Sequence, residues 1–189
     1  SNLFYTEPHA RLAKLLCERT GASKVFFGNS GAEANECAIK AARKYGELHH
    51  GPNRKEIITL KNSFHGRTLA TLAATGQEGF HKYFGPFPAG FVYADATIEG
   101  VKSCMNENTC AVMIECIQGE SGVNVLDRDF VKALCELCKQ RDIILICDEV
   151  QTGNGRTGYL YAYQGYGIQP DIVTTAKGLG GGLPIGACM

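Results

Sequence analysis

The sequence predicts an α/β domain built on a largely parallel sheet. Three observations carry that prediction. Strand-like apolar runs alternate with helix-period segments from one end of the chain to the other. Residues 111–147 read as a βαβ unit, with strands at 111–115 and 143–147 flanking a helix at 128–140. The chain has 189 residues, 44% of them hydrophobic, enough for one domain with a real core that buries about 70% of the unfolded surface.

The elements follow in order. Residues 8–20 form an amphipathic helix pattern, with Leu12, Leu15 and Leu16 on one face and Gly21 as its stop. Val25-Phe26-Phe27 is a short strand. Ala34, Cys37, Ala38, Ala41, Ala42 and Tyr45 recur at i, i+3 and i+4, which predicts a helix over 31–45. Polar residues with Gly and Pro place Gly46 to Asn53 in a surface loop. Ile57 to Leu60 is the next strand, and Leu69 to Ala74 a short helix. From Gly76 to Asp95 the chain is rich in Gly, Pro and aromatics, and Phe84-Gly85-Pro86-Phe87-Pro88 continues neither regular element. A long irregular stretch is expected there, of the kind that is usually functional or covers something. After the βαβ unit, Asp171 to Thr175 is a strand, followed by a glycine-rich loop from Gly178 to Pro184. The chain ends at Met189 after a further apolar turn, without a terminal helix or polar tail, which points to a piece of a larger protein.

Charge and cysteine content narrow the function classes. Nineteen Lys+Arg balance nineteen Asp+Glu, so there is no electrostatic case for a nucleic-acid or anionic-membrane partner. No apolar run is long enough to span a bilayer, and the first residues carry no signal-peptide pattern. Nine cysteines, an odd number, read as reduced thiols in a cytoplasm. Cys135 and Cys138 are spaced C-x-x-C, but no second pair follows at zinc-site spacing; they read as helix packing and no metal site is expected.

The residues able to do chemistry stand after strands. Gly28-Asn29-Ser30-Gly31-Ala32-Glu33 joins a strand to a helix, and Ser30 with Glu33 makes a capping box. Gly31 and Ala32 are too small to block the first-turn N–H groups, so the joint is either a plain N-cap or a phosphate cradle. Asp148, after Ile143-Ile144-Leu145-Ile146, either caps the next loop or meets a cation such as a protonated ring nitrogen; Glu149 beside it reads as a solvent-facing or outer residue. Lys177 lies among small and apolar residues, where an amine can lose its charge and act as a nucleophile. Phe64, Gly66 and Arg67 put an aromatic face, a close-approach glycine and a carboxylate-binding guanidinium in one loop, and His65 between them reads as a loop histidine bonded to backbone. Glu115, Gln118 and Glu120 cluster after another strand as candidate partners for an arginine. A phosphate cradle, an anion for a ring nitrogen, an aromatic platform and an amine together fit pyridoxal 5'-phosphate. The glycine spacing is not that of a dinucleotide or P-loop fingerprint, which counts against a nucleotide-binding module.

The segments Asn29-Ser-Gly-Ala-Glu-Ala-Asn-Glu36, Ser63-Phe-His-Gly-Arg-Thr68, Asp148-Glu-Val-Gln-Thr-Gly-Asn-Gly-Arg-Thr-Gly158 and Pro170-Asp-Ile-Val-Thr-Thr-Ala-Lys-Gly-Leu-Gly180 resemble the class III aminotransferases of the ornithine/acetylornithine type. The resemblance implies a fold type I large domain with helices on both faces of the sheet, residues 1–189 forming that cofactor-binding domain without the family's N-terminal segment and C-terminal small domain. It implies that Lys177 carries pyridoxal phosphate as a Schiff base and moves the proton, that Asp148 faces the pyridine nitrogen, and that Gln151 bonds the phenolic oxygen. Phe64 and Val150 would sandwich the ring, with Ser30, Gly31 and Ala32 at the phosphate. Arg67 would bind the substrate carboxylate and Glu120 would be the gating glutamate. It further implies a homodimer that transfers the δ-amino group of N-acetylornithine to 2-oxoglutarate. Ornithine, succinyldiaminopimelate and 4-aminobutyrate are the alternative donors, and a non-catalytic cofactor-binding domain is the alternative from another class. Cys116 and Ser121 depart from the family's usual Pro and Gly beside Glu120.

Overall fold

A computed structural model describes residues 3–189. The elements in chain order are α1 (Glu7–Thr20), β1 (Phe26–Gly28), α2 (Gly31–His50), β2 (Glu56–Leu60), α3 (Leu69–Ala74), β3 (Phe91–Ala94), α4 (Ile98–Cys104), β4 (Thr109–Ile114), β5 (Ile117–Gln118), β6 (Asn124–Val125), α5 (Arg128–Arg141), β7 (Ile144–Asp148), α6 (Ala162–Tyr166), β8 (Ile172–Thr175) and β9 (Gly186–Cys188). Seven strands form one sheet in the order β1-β9-β8-β7-β4-β2-β3. β2, β3, β4, β7 and β8 run parallel, and only β9 is reversed, pairing antiparallel with β8 on one side and β1 on the other. β5 and β6 make a separate two-stranded ribbon.

Alternation along the central strands sends side chains into two cores. On one face Ile57, Ala111, Met113 and Ile146 pack against Ala38, Ile39 and Ala42 of α2. On the other, Ile58, Val112, Ile114, Leu145 and Cys147 pack against Val131, Leu134 and Cys138 of α5, with Leu16 of α1 and Val101 of α4. The expected α/β architecture with helices on both faces is therefore present. Among the described residues no helix is long and apolar enough to cross a membrane.

Several sequence expectations need correction. The stretch from Gly46 to His50 is not loop but the last turns of α2. Gly46 is a close-approach residue, since a Cβ there would lie 2.1 Å from the Arg54 carbonyl oxygen and 2.8 Å from the Cys110 Cβ. The helix instead stops at Gly51, whose N–H bonds to the Glu47 carbonyl at positive φ. The irregular stretch is shorter than expected, because Phe91–Ala94 forms the sheet-edge strand β3 alongside β2. The apolar turn at the chain's end is β9. Cys135 and Cys138 do face helix-packing environments, and all nine thiols are free. Among the described residues, no three His, Cys, Asp or Glu side chains are grouped to hold a metal ion.

Candidate active site

The carboxyl ends of parallel strands open toward a shared crevice, where α/β sheets place their ligands. Here the end of β7, the turn after β8, the loop after β2 and the start of α2 enclose a cavity of about 210 Å³. It is lined by Gly31, Ala32, Asn35, Phe64, His65, Gly66, Arg67, Glu115, Asp148, Val150, Gln151 and Lys177. Of the residues singled out in the sequence, Gly31, Ala32, Phe64, Arg67, Asp148, Val150, Gln151 and Lys177 thus meet in one place. Ser30 and Glu120 are outside the lining. The Ser30 hydroxyl is occupied as the N-cap of α2, accepting from Glu33 N–H at 3.2 Å. Glu120 is exposed and accepts from Gln77 Nε2 at 2.7 Å.

Asp148 is the most heavily supported group. It is 3% exposed, and its Oδ2 accepts from Asn35 Nδ2 at 2.7 Å and His65 Nδ1 at 2.8 Å. Its Oδ1 accepts from Val150 N–H at 3.0 Å. The Thr174 hydroxyl lies 3.5 Å from the same oxygen, but its proton goes to Asn35 Oδ1 at 2.6 Å. Three donors therefore converge on a buried carboxylate, and Oδ1 keeps capacity for one more from the cavity. Asn35, which sequence reading left out, is the pivot: it ties α2, Asp148, the His65 carbonyl and β8 together. The only sequence signal for it was its place one turn into a helix that starts at the site.

His65 corrects the reading of a loop histidine bonded to backbone. Its ring is 2% exposed and paired with Asp148. Burial opposes its charge, but the hydrogen bond and charge of Asp148, with Glu115 nearby, outweigh burial and raise its pKa. Its Nε2 has no hydrogen-bond partner among the described residues. Glu149 is also not solvent-facing. It is fully buried and accepts from Thr152 Oγ1, Ala162 N–H and Tyr163 N–H at 2.5, 2.8 and 2.8 Å, which closes the loop after Asp148 onto α6. The capping box differs in detail as well: Glu33 reaches back to the backbone N–H and side-chain amide of Asn29, not to Ser30.

Lys177 sits in the left-handed region, φ +47, at the exposed mouth of the cavity. Burial of its amine lowers its pKa, Arg67 adds to that, and Asp148 and Glu115 oppose it. The Arg67 guanidinium lies 5.5 Å over the Phe64 ring. Two glycines of the lining are close-approach positions: a Cβ at Gly66 would fall 2.5 Å from Thr71 Oγ1, and one at Gly31 would fall 2.7 Å from Val150 Cγ1. Among the other members of the acidic cluster, Glu115 enters the cavity, while Gln118 is buried and donates to the Lys61 carbonyl at 2.9 Å. Cys116, the departure from the family pattern, is buried, and its carbonyl accepts from Leu126 N–H and Tyr166 OH.

Known proteins resemble this chain in sequence and in fold. The family model for aminotransferase class III matches residues 1–189. Acetylornithine aminotransferase of Haemophilus ducreyi is 58% identical over 99% of this chain and 48% of its own length. That of Methanocaldococcus jannaschii is 52% identical over 99% of this chain and 47% of its own. The chain thus spans about half the length of the curated relatives it matches. A crystal structure of ornithine aminotransferase from Toxoplasma gondii, described as having partial occupancy of PLP at its active site, superimposes with a TM-score of 0.93 at 34% identity, covering 98% of this chain and 45% of that one. An (S)-enantioselective omega-transaminase from Thermomicrobium roseum superimposes at 0.91, also at 34% identity, over 97% of this chain and 46% of its own. With all 189 residues matched by the family model and relatives more than 50% identical over 99% of it, the chain belongs to the class III aminotransferases.

Proposed function

We propose that residues 1–189 are the cofactor-binding large domain of a pyridoxal-phosphate-dependent aminotransferase that moves the δ-amino group of N-acetylornithine to 2-oxoglutarate, working as a homodimer. The observation that carries this reading is the buried Asp148 carboxylate, clamped by three donors and holding one acceptor position open to the same cavity that receives the Lys177 amine. The residues present fit the cofactor. An open acceptor on a buried anion suits a protonated ring nitrogen, and Gly31 and Ala32, both in the cavity lining, carry no side chain large enough to cover the first-turn N–H groups of α2 against a phosphate.

When bound, pyridoxal phosphate supplies an electrophilic carbonyl and an electron sink for the substrate carbon. The chain supplies the rest. The Lys177 amine, its proton affinity lowered by burial, would serve as nucleophile and then as the base that takes a proton from the substrate carbon and returns it. Asp148 would favour a protonated ring nitrogen, and Asn35 and His65 hold Asp148 in orientation. Phe64, Val150 and Gln151 line the cavity and would hold the cofactor's ring there, Phe64 and Val150 by apolar contact and Gln151 by a hydrogen bond. Gly31 and Ala32 N–H groups would hold the phosphate beside the Ser30 cap. Arg67 takes the substrate carboxylate. Glu120 is the gating carboxylate, paired with an arginine of the longer protein.

The choice of N-acetylornithine as donor is supported by relatives named acetylornithine aminotransferase at 50–58% identity. Absorption spectroscopy of the full-length protein tests it. Added pyridoxal phosphate should give a yellow band that N-acetylornithine bleaches and 2-oxoglutarate restores, and Lys177→Ala should abolish the cycle. A band that persists in N-acetylornithine but bleaches with ornithine, succinyldiaminopimelate or 4-aminobutyrate would move the assignment to that donor.

A further inference from the structure

Two carboxyl groups face the cavity, and their surroundings differ. Asp148 accepts three hydrogen bonds. Glu115, equally buried at 3% exposure, accepts one, from Phe64 N–H to Oε2 at 2.9 Å. A carboxylate withdrawn from water needs several donors to stay charged, and one backbone N–H does not replace its lost hydration. Where two titratable groups share a site in environments that push their proton affinities apart, they take different roles. We propose that Glu115 is the neutral acid of this site: a protonated carboxyl that donates a hydrogen bond into the cavity, toward an acceptor oxygen of the bound ligand, while Asp148 supplies the cavity's negative charge.

The proposal builds on the active-site reading above. Charged and titratable neighbours act on Glu115 from several elements. Burial raises its pKa to about 7; His65 and the Phe64 N–H oppose the rise, while Asp148 and Glu120 add to it. Lys177, across the cavity, also feels the Glu115 charge. The imidazole of His65 is already committed to Asp148, so its charge is offset within that pair and does not serve Glu115 as a dedicated partner. A proton on Glu115 removes the repulsion between two buried anions and leaves Lys177 facing one anion instead of two, which favours the uncharged amine. Among the cavity's side chains, Glu115 is then a donor where a second carboxylate would be only an acceptor.

Infrared difference spectroscopy on the full-length protein tests this without relying on turnover. The spectrum of the wild type minus Glu115→Gln should contain a protonated-carboxyl C=O stretch at about pH 5.5 that converts to carboxylate as the pH rises through about 7. A difference spectrum with carboxylate bands only, at both ends of that range, overturns the proposal. Should Glu115→Gln fold poorly, 13C labelling of glutamate carboxyls in the wild type, with the Glu115 and Glu149 signals separately assigned because burial raises both, gives the same answer, since the Glu115 signal must titrate near neutrality. If the Glu115 signal titrates in the ordinary acid range, Glu115 is not the neutral acid. A parallel titration with pyridoxal phosphate separates this from the site reading. Affinity in the wild type should fall more steeply above neutrality than in Glu115→Gln, whereas absence of binding in both refutes the cofactor assignment while the infrared band still decides the state of Glu115.

Discussion

Replacing Gly31 by Ala tests the close contact between the start of α2 and Val150. The added Cβ would stand 2.7 Å from Val150 Cγ1 and 2.9 Å from Cγ2, whereas carbon atoms pack comfortably at about 3.5–4.0 Å. Something must move by about 1 Å. Val150 cannot retreat freely, since its χ1 is stiff and its N–H is bonded to Asp148 Oδ1 at 3.0 Å. Overpacking of this kind costs about 1–3 kcal/mol. The opposing gain from replacing glycine in a helix is at most about 1 kcal/mol, and smaller in the first turn. The clash wins, and a shift of Val150 disturbs Asp148 and the ring-facing surface together. Urea denaturation and fluorescence titration with pyridoxal phosphate on the full-length protein should show a loss of about 1–2 kcal/mol in stability and an affinity loss of about tenfold. Val150→Ala removes both clashing methyls. In the double variant the Gly31→Ala penalty should disappear, leaving a coupling of about 1–3 kcal/mol. Strict additivity, or a single-variant cost below about 0.5 kcal/mol, would refute the steric argument.

Further outcomes follow from the polar network. Asn35→Ala removes two donors and one acceptor from buried partners; it should cost about 2–4 kcal/mol in denaturation and weaken cofactor binding, and Asn35→Asp, with a second carboxylate against Asp148, should be worse. Glu149→Gln turns an amide N–H₂ or a weaker acceptor toward three donors; a loss of about 2–3 kcal/mol in the same assay is expected. The pH dependence carries a sign. Because the Glu115 carboxyl rises from 4.5 to about 7 on folding, the folded state holds its proton in that interval while the unfolded state loses it. Stability is fully present below 4.5 and declines by on the order of 3 kcal/mol as pH rises through about 7. Denaturation midpoints of the wild type and Glu115→Gln should therefore diverge across this interval, and parallel pH profiles would contradict the assignment.

Much of this fold is legible in the sequence because its strongest signals are local. The apolar run Ile143 to Cys147 and the periodic face of α5 identify a buried strand and its helix, and Gly21 ends α1 in the left-handed conformation as its position implies. Gly46 misleads, since its role is set by Arg54 and Cys110, residues distant in sequence. β9 is three residues long, and its first residue is glycine because Ser30 passes close by; a Cβ there would lie 2.1 Å from the Ser30 carbonyl oxygen. The strand-end residues Asp148, Phe64, Arg67 and Lys177 announce themselves by following apolar runs. Asn35 and His65 do not, because an asparagine inside a helix and a histidine in a loop acquire meaning only when the fold brings Asp148 to them.

The central claim is that Lys177 is the attachment point for pyridoxal phosphate. Reductive trapping with borohydride, followed by digestion and mass spectrometry of the full-length protein, tests it directly. A single pyridoxyl-phosphate adduct is expected, on the peptide containing Lys177, at stoichiometric yield, and it should be lost in Lys177→Ala. Label scattered over the surface lysines, or a single adduct on a different lysine that survives Lys177→Ala, would contradict it.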